Sequence, residues 1–192
     1  VMAELVKNPE LVKLGGKRSR VAILFGDVAG FTTYSESHSP EEVVSQLNEI
    51  LTQLSRAVFK YNGTLDKYIG DCIMAFWGAP LPDPQSCDHC VTACIEMIDA
   101  INERNKNNED KFYIGIGVNF GDAVIGNMGS DPVSCCLAMG DTINTASRLE
   151  GVTRTLDNAL VISEAAYKEL SDGLQNRFEK HGEPVKVKGK VK

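Results

Sequence analysis

Thr64-Leu65-Asp66-Lys67-Tyr68-Ile69-Gly70-Asp71-Cys72-Ile73-Met74-Ala75-Phe76-Trp77 is the stretch that orders the rest of the chain. Two short apolar runs, 64–69 and 72–77, flank the pair Gly70-Asp71, and two turn residues between two such runs predict a β-hairpin. A helix precedes it. Ser39-Pro40-Glu41-Glu42 supplies an N-cap, a proline at the first helical position and an acidic first turn. Val43, Leu47, Ile50, Leu51, Leu54 and Val58 then recur at helical spacing, and Asn62-Gly63 ends the run. Upstream, Val21 to Asp27 is a short apolar run that reads as a buried strand.

Downstream, Pro80, Pro82 and Pro84 make a rigid loop, and 85–104 reads as a second helix carrying Cys87, Val91, Cys94, Ile95, Ile98 and Ile101. Residues 111–118 and 123–127 read as strands, with Asn119-Phe120-Gly121-Asp122 as a turn between them. A short helix over 141–150, a strand over 159–162, a helix capped by Ser163 and two short terminal strands complete the chain. The order strand-helix-strand-strand-helix-strand predicts an α+β fold with a ferredoxin-like βαββαβ core and an α/β C-terminal extension. Residues 1–16 read as a helical connector from an upstream region, and 17–192 as the functional domain.

The 192 residues are enough for one domain with a real core, and 43% hydrophobic content is ordinary for a globular chain. A net charge of −6 argues against nucleic acid as a partner. No apolar stretch approaches the ~20 residues that span a bilayer. Cys87, Cys90 and Cys94, with His89 among them, lack a second Cys/His pair at zinc-finger spacing, so they read as small apolar residues on the inner face of their helix. Free cysteines of this kind point to a reducing compartment, the cytosol. The chain reads as a cytoplasmic domain excised from a longer parent that could be membrane-anchored.

Asp27 and Asp71 carry the chemistry. Each sits beside a glycine at the end of an apolar strand, where an unneutralised carboxylate is costly. In a ferredoxin-like sheet the two positions are neighbours, and such a pair suits Mg²⁺, which takes the rest of its shell from water and phosphate oxygens. Lys67 reads either as a ligand contact or as a lysine snorkelling at the sheet surface. Asn144 and Arg148 are four apart on one helix face, where an amide and a guanidinium can grip a sugar oxygen and a phosphate. Lys188-Gly189-Lys190 suits a triphosphate tail, although a solvated basic terminus is the commoner explanation of such a run.

Three segments in this order, Phe25-Gly26-Asp27-Val28-Ala29-Gly30-Phe31-Thr32, Asp66-Lys67-Tyr68-Ile69-Gly70-Asp71 and Gly140-Asp141-Thr142-Ile143-Asn144-Thr145-Ala146-Ser147-Arg148-Leu149-Glu150, resemble the class III nucleotidyl cyclases over residues 15–190. The resemblance implies conversion of ATP or GTP to the 3′,5′-cyclic monophosphate and pyrophosphate. It implies a homodimer with sites at the subunit interface and two divalent cations, Mg²⁺ or Mn²⁺, per site. By its motifs, Asp27, the Val28 backbone carbonyl and Asp71 hold metal. Lys67 and Leu137 face the base, Asn144 and Arg148 of the opposite subunit act on the transition state, and Lys190 holds the terminal phosphates.

The N-terminal segment, ending in Leu14-Gly15-Gly16-Lys17-Arg18, resembles the lead-in of bacterial cyclases that carry upstream sensor or membrane segments. No Gly-Gly-Asp/Glu-Glu-Phe signature of diguanylate cyclases is present. Two positions depart from the family pattern. Leu137 stands where adenylyl enzymes carry Thr or Asp, and a one-residue slip would put Cys136 there, as guanylyl enzymes have it; Lys67 tilts the reading toward ATP. Gly115 stands where many relatives have an arginine that reaches phosphate. The alternatives are a guanylyl cyclase, or a weakly active or non-catalytic nucleotide-binding dimerisation module.

Overall fold

The computed structural model describes the backbone of residues 15–130 and 133–182, and their side chains except over 127–137. The connector over 1–14 and the segment 183–192, which holds the end of the predicted terminal strands and Lys190, lie outside the described residues. The elements are β1 (Gly15–Ala29), α1 (Phe31–Ser37), α2 (Pro40–Lys60), β2 (Thr64–Ile69), β3 (Cys72–Trp77), α3 (Ser86–Asn107), β4 (Tyr113–Ser130), β5 (Val133–Met139), α4 (Asp141–Leu156), β6 (Leu160–Ile162), α5 (Glu164–Tyr167) and α6 (Asp172–Gln175). The sheet order β2-β3-β1-β4-β5, antiparallel between neighbours, contains the ferredoxin-like core as expected. β6 pairs β4 in parallel.

Local chemistry explains most of these elements. Ser39 and Glu42 form the reciprocal capping box of α2. Gly70, at φ +63°, turns the two-residue hairpin, a conformation that costs a glycine nothing. Side-chain alternation along β1 splits the sheet into two faces. Ala22, Leu24 and Val28 face α2 and α3 and join a core with Ile73, Trp77, Ile116, Leu54 and Met97. Cys87, Cys90 and Cys94 are buried in that core, as small apolar residues on the inner face of α3 should be, and burial pushes the Cys87 thiol up to about 12. Val21, Ile23 and Phe25 face the other way, with Met74, Phe76, Ile125 and Ala146. Each large side chain so buried contributes on the order of 1.5–3 kcal/mol. Asp27 continues this second series, so its carboxylate emerges on the face that α2 and α3 leave uncovered.

Several segments differ from the sequence reading. β1 begins at Gly15, so Gly15 and Gly16 are strand residues rather than the end of a helical connector. Residues 119–122 make no turn: β4 runs straight through them, paired to 20–23 of β1. The turn chemistry of Asn-Phe-Gly-Asp is overridden because Asn119 is buried and donates to the Thr142 carbonyl at 3.0 Å, while Gly121 leaves room for Thr142. Finally, β5 pairs with the far end of β4, and the first C-terminal residues form the helical turn α6 rather than a strand.

The second face of β4 is lined by Gly115, Gly117 and Gly121, and α4 lies directly on them. A Cβ at Gly117 would come within 2.1 Å of the Glu150 backbone nitrogen and 2.4 Å of the Ala146 carbonyl oxygen. Gly117→Ala is therefore expected to destabilise the domain by at least about 1–3 kcal/mol, the usual cost of overpacking. Gly151→Ala, on the open side of the same helix with nothing within 4 Å, is expected to stabilise it by about 0.5–1 kcal/mol. Urea unfolding of the two variants checks both signs.

Candidate active site

The pairing of β1 with β3 builds the site. Asp27 lies opposite Cys72, the residue that follows Asp71 out of the hairpin turn, so strand register brings the two carboxylates together. On its other side Asp27 faces Gly115 of β4. A cavity of about 360 Å³ opens here, lined by Asp27, Val28, Gly30, Thr32, Asp71 and Arg154 among others. The Val28 side chain is buried in the helix-side core, so what Val28 presents to the cavity is backbone.

The cavity is short of positive charge. Burial raises the Asp27 carboxyl above its ordinary value and the Asp71 carboxylate raises it further, while Arg154 opposes both. Glu150 is raised by burial and then by Asp27 and Asp71. The Cys72 thiol is pushed to about 12 by burial and the same three acids, so it is protonated in the metal-free protein. The Arg154 guanidinium donates to Asp27 Oδ2 and forms an ion pair with it.

The sequence reading ends helix α4 at Glu150, so it does not reach Arg154, and it gives Glu150 no role in the site. α4 continues to Leu156, and the i, i+4 spacing of Glu150 and Arg154 was the available signal. Gly115 also gains an explanation. A Cβ there would lie 2.4 Å from Thr153 Oγ1, so a larger residue would require the Thr153 side chain to move. The glycine serves helix packing.

The structure joins Asp27, Val28 and Asp71 and leaves the other expected residues apart. Asn144 is exposed and Arg148 half-buried, on the side of α4 opposite Ala146 and Thr153, so within one chain they point away from the sheet that carries Asp27. Lys67 lies on β2 opposite Met74. Leu137 lies on β5 opposite Gly126, its side chain outside the described residues, as is all of Lys190.

Comparison with known proteins identifies the family. Residues 16–192 match the profile of the adenylate and guanylate cyclase catalytic domain. Adenylate cyclase 1 of Rhizobium meliloti is 35% identical over 185 residues, 92% of this chain and 28% of that protein. The guanylyl cyclase Cya2 superposes with a TM-score of 0.83 at 30% identity, covering 93% of this chain and 90% of that one. The adenylyl cyclase CyaB from P. aeruginosa superposes at 0.80 with 28% identity, covering 93% and 92%. The chain spans 28% and 37% of the length of the first two curated relatives it matches.

The raised carboxyls fix the sign of a pH effect. Just above the ordinary carboxylate range the folded protein keeps protons on Asp27 and Glu150 that the unfolded chain has released. Stability of the metal-free protein should therefore fall as pH rises through this window. Asp27→Asn removes one of the repelling charges. Its melting temperature at pH 7 without divalent cations should equal or exceed wild type, with a flatter pH dependence; thermal melts from pH 4 to 8 check this.

Proposed function

The chain belongs to the adenylate and guanylate cyclase catalytic-domain family, and we propose that it converts a nucleoside triphosphate, preferentially ATP, to the 3′,5′-cyclic monophosphate and pyrophosphate. The observation that carries this reading is the β1–β3 register, which sets Asp27 beside Asp71 at a cavity that also exposes the Val28 backbone.

The donor set fits divalent metal. Asp27, Asp71 and the Val28 carbonyl are hard oxygen donors of the kind Mg²⁺ and Mn²⁺ prefer. The Asp71 charge destabilises the ionised Asp27 carboxylate, and a guanidinium already leans on Asp27. Two divalent cations held there would lower the pKa of the ribose 3′-hydroxyl and neutralise the leaving pyrophosphate.

The remaining work falls to side chains that one chain does not bring to its own cavity. Asn144 orients the ribose and Arg148 stabilises charge on the transferring phosphoryl group. Lys67 meets the base and Lys190 the terminal phosphates. Asn144 and Arg148 point away from the Asp27 cavity, which supports a homodimer in which each subunit completes its partner's site. Val124 and Met139, opposite one another in the β4–β5 ladder and both exposed, give that association an apolar surface.

Further domains in the parent protein would align the two halves in response to a signal, consistent with the greater length of the relatives. Among the described residues no helix is long and apolar enough to cross a membrane. A substrate that is a cytosolic nucleotide places the catalytic domain on the cytoplasmic side whatever the parent's anchoring. GTP is the second reading, because Leu137 offers the adenine amino group no side-chain acceptor and a one-residue slip would put Cys136, which goes with guanine, in its place.

The test is a cyclase assay with ATP and GTP side by side, in Mg²⁺ and in Mn²⁺. Cyclic AMP should exceed cyclic GMP, and Asp27→Ala, Asp71→Ala and Arg148→Ala should each lose about 10²–10³-fold in kcat. Mixing Asp27→Ala with Arg148→Ala chains should restore about a quarter of wild-type activity, because half the dimers are mixed and each mixed dimer has one intact site. Absence of product from wild type, or no recovery on mixing, would refute the catalytic or the shared-site part respectively.

A further inference from the structure

β2 carries one residue more than β3 opposite it. Leu65 pairs with Ala75 and Lys67 with Met74, so Asp66 is the extra residue of a β-bulge. In a regular strand neighbours point to opposite faces, and Asp66 and Lys67 could not meet. Here Lys67 Nζ stands 3.1 Å from Asp66 Oδ2.

The Asp66 side chain is fully buried, 0% exposed, which for a carboxylate is expensive unless it is paired. Its other oxygen, Oδ1, accepts the backbone N–H of Ala138 at 3.1 Å, across 72 residues of chain. Lys67 lies off the line of a hydrogen bond, so Oδ2 has an ionic partner but no aligned donor. One carboxylate thus holds Lys67 with one oxygen and β5, at the residue after Leu137, with the other.

We propose that Asp66 is a positioning residue for base selection, fixing Lys67 and the Leu137 segment of β5 relative to each other. The inference rests on reading those two positions as the base contacts of a nucleotide cyclase. Without the bulge carboxylate, Lys67 would sample many rotamers and β5 would lose its only described side-chain tie to β2, so discrimination between bases would suffer before the chemical step does. The proposed metal ligands are untouched, since among the described residues the polar partners of Asp66 are Lys67 and the Ala138 N–H.

Two variants separate the contributions. Asp66→Asn keeps the size and the acceptor for Ala138 N–H but removes the charge that draws Lys67. Asp66→Ala removes both. For Asp66→Asn the KM for ATP should rise about three- to tenfold with kcat within about threefold of wild type, and the ATP-over-GTP ratio of kcat/KM should fall correspondingly. The Ala138 amide should keep its protection from hydrogen exchange. For Asp66→Ala the ratio should fall at least as far and the Ala138 amide should exchange at least about tenfold faster.

An unchanged ratio in Asp66→Asn, or equal losses with ATP and GTP, overturns the proposal while leaving the cyclase reading intact. Failure of Asp66→Ala to fold leaves Asp66→Asn to decide. Absence of turnover in wild type defeats the cyclase reading, and the base-selection role with it.

Discussion

Helix α4 rests on strand β4 across glycines that give the strand no side chain at Gly115, Gly117 and Gly121, and the site depends on that contact. Gly115, Gly117 and Gly121 clear one face of β4 so that the Ala146–Glu150 backbone can lie within a few ångströms of it. The contact fixes the height and rotation of α4 together. Its inner face brings Glu150 and Arg154 over Asp27, and its outer face turns Asn144 and Arg148 away. Thr142 and Asn119 pin the start of the helix, through Thr142 Oγ1 to the Asp122 carbonyl at 2.6 Å and Asn119 Nδ2 to the Thr142 carbonyl. A helix held by backbone proximity has little freedom to roll, which suits a group of side chains that must be presented accurately.

The carboxylates show what such accuracy costs. Burial and the Asp71 charge raise the Asp27 carboxyl, and burial and the charges of Asp27 and Asp71 raise Glu150, in a partly buried setting where water screens little. A fold selected for stability alone would separate them. Arg154 compensates by closing an ion pair across the cavity, and because its side chain is mostly exposed the pair contributes little net stability. The contact is therefore weak enough to yield to a stronger cation.

Much of this was legible in the sequence because the signals were local. The Gly70-Asp71 hairpin, the Ser39 capping box and the buried cysteines of α3 each follow from a few adjacent residues. The ferredoxin-like order followed from their succession, and the Asp27–Asp71 pairing followed from the order. What escaped was set by distant contacts. The turn predicted at Asn119-Phe120-Gly121-Asp122 is strand because β1 and α4 claim both its sides. The packing of Thr153 over Gly115 depends on a helix residue 38 positions downstream. Arg154 and Asp66 gain their meaning from partners 127 and 72 residues away, a separation no periodicity records.

The bulge at Asp66 also sets the phase of everything between it and the hairpin. Counted from Thr64 without the extra residue, Lys67 would fall opposite Ile73, on the face covered by α2 and α3. The bulge shifts it to the face of Met74, where Asp27 also emerges. The sheet therefore behaves like a reading frame: one added residue changes which face every later side chain in β2 addresses. Loop insertions elsewhere would lengthen the chain harmlessly, but the spacing between Thr64 and Gly70 is information in its own right. A homologue that kept all the same residue types and lost one position there would spell a different surface.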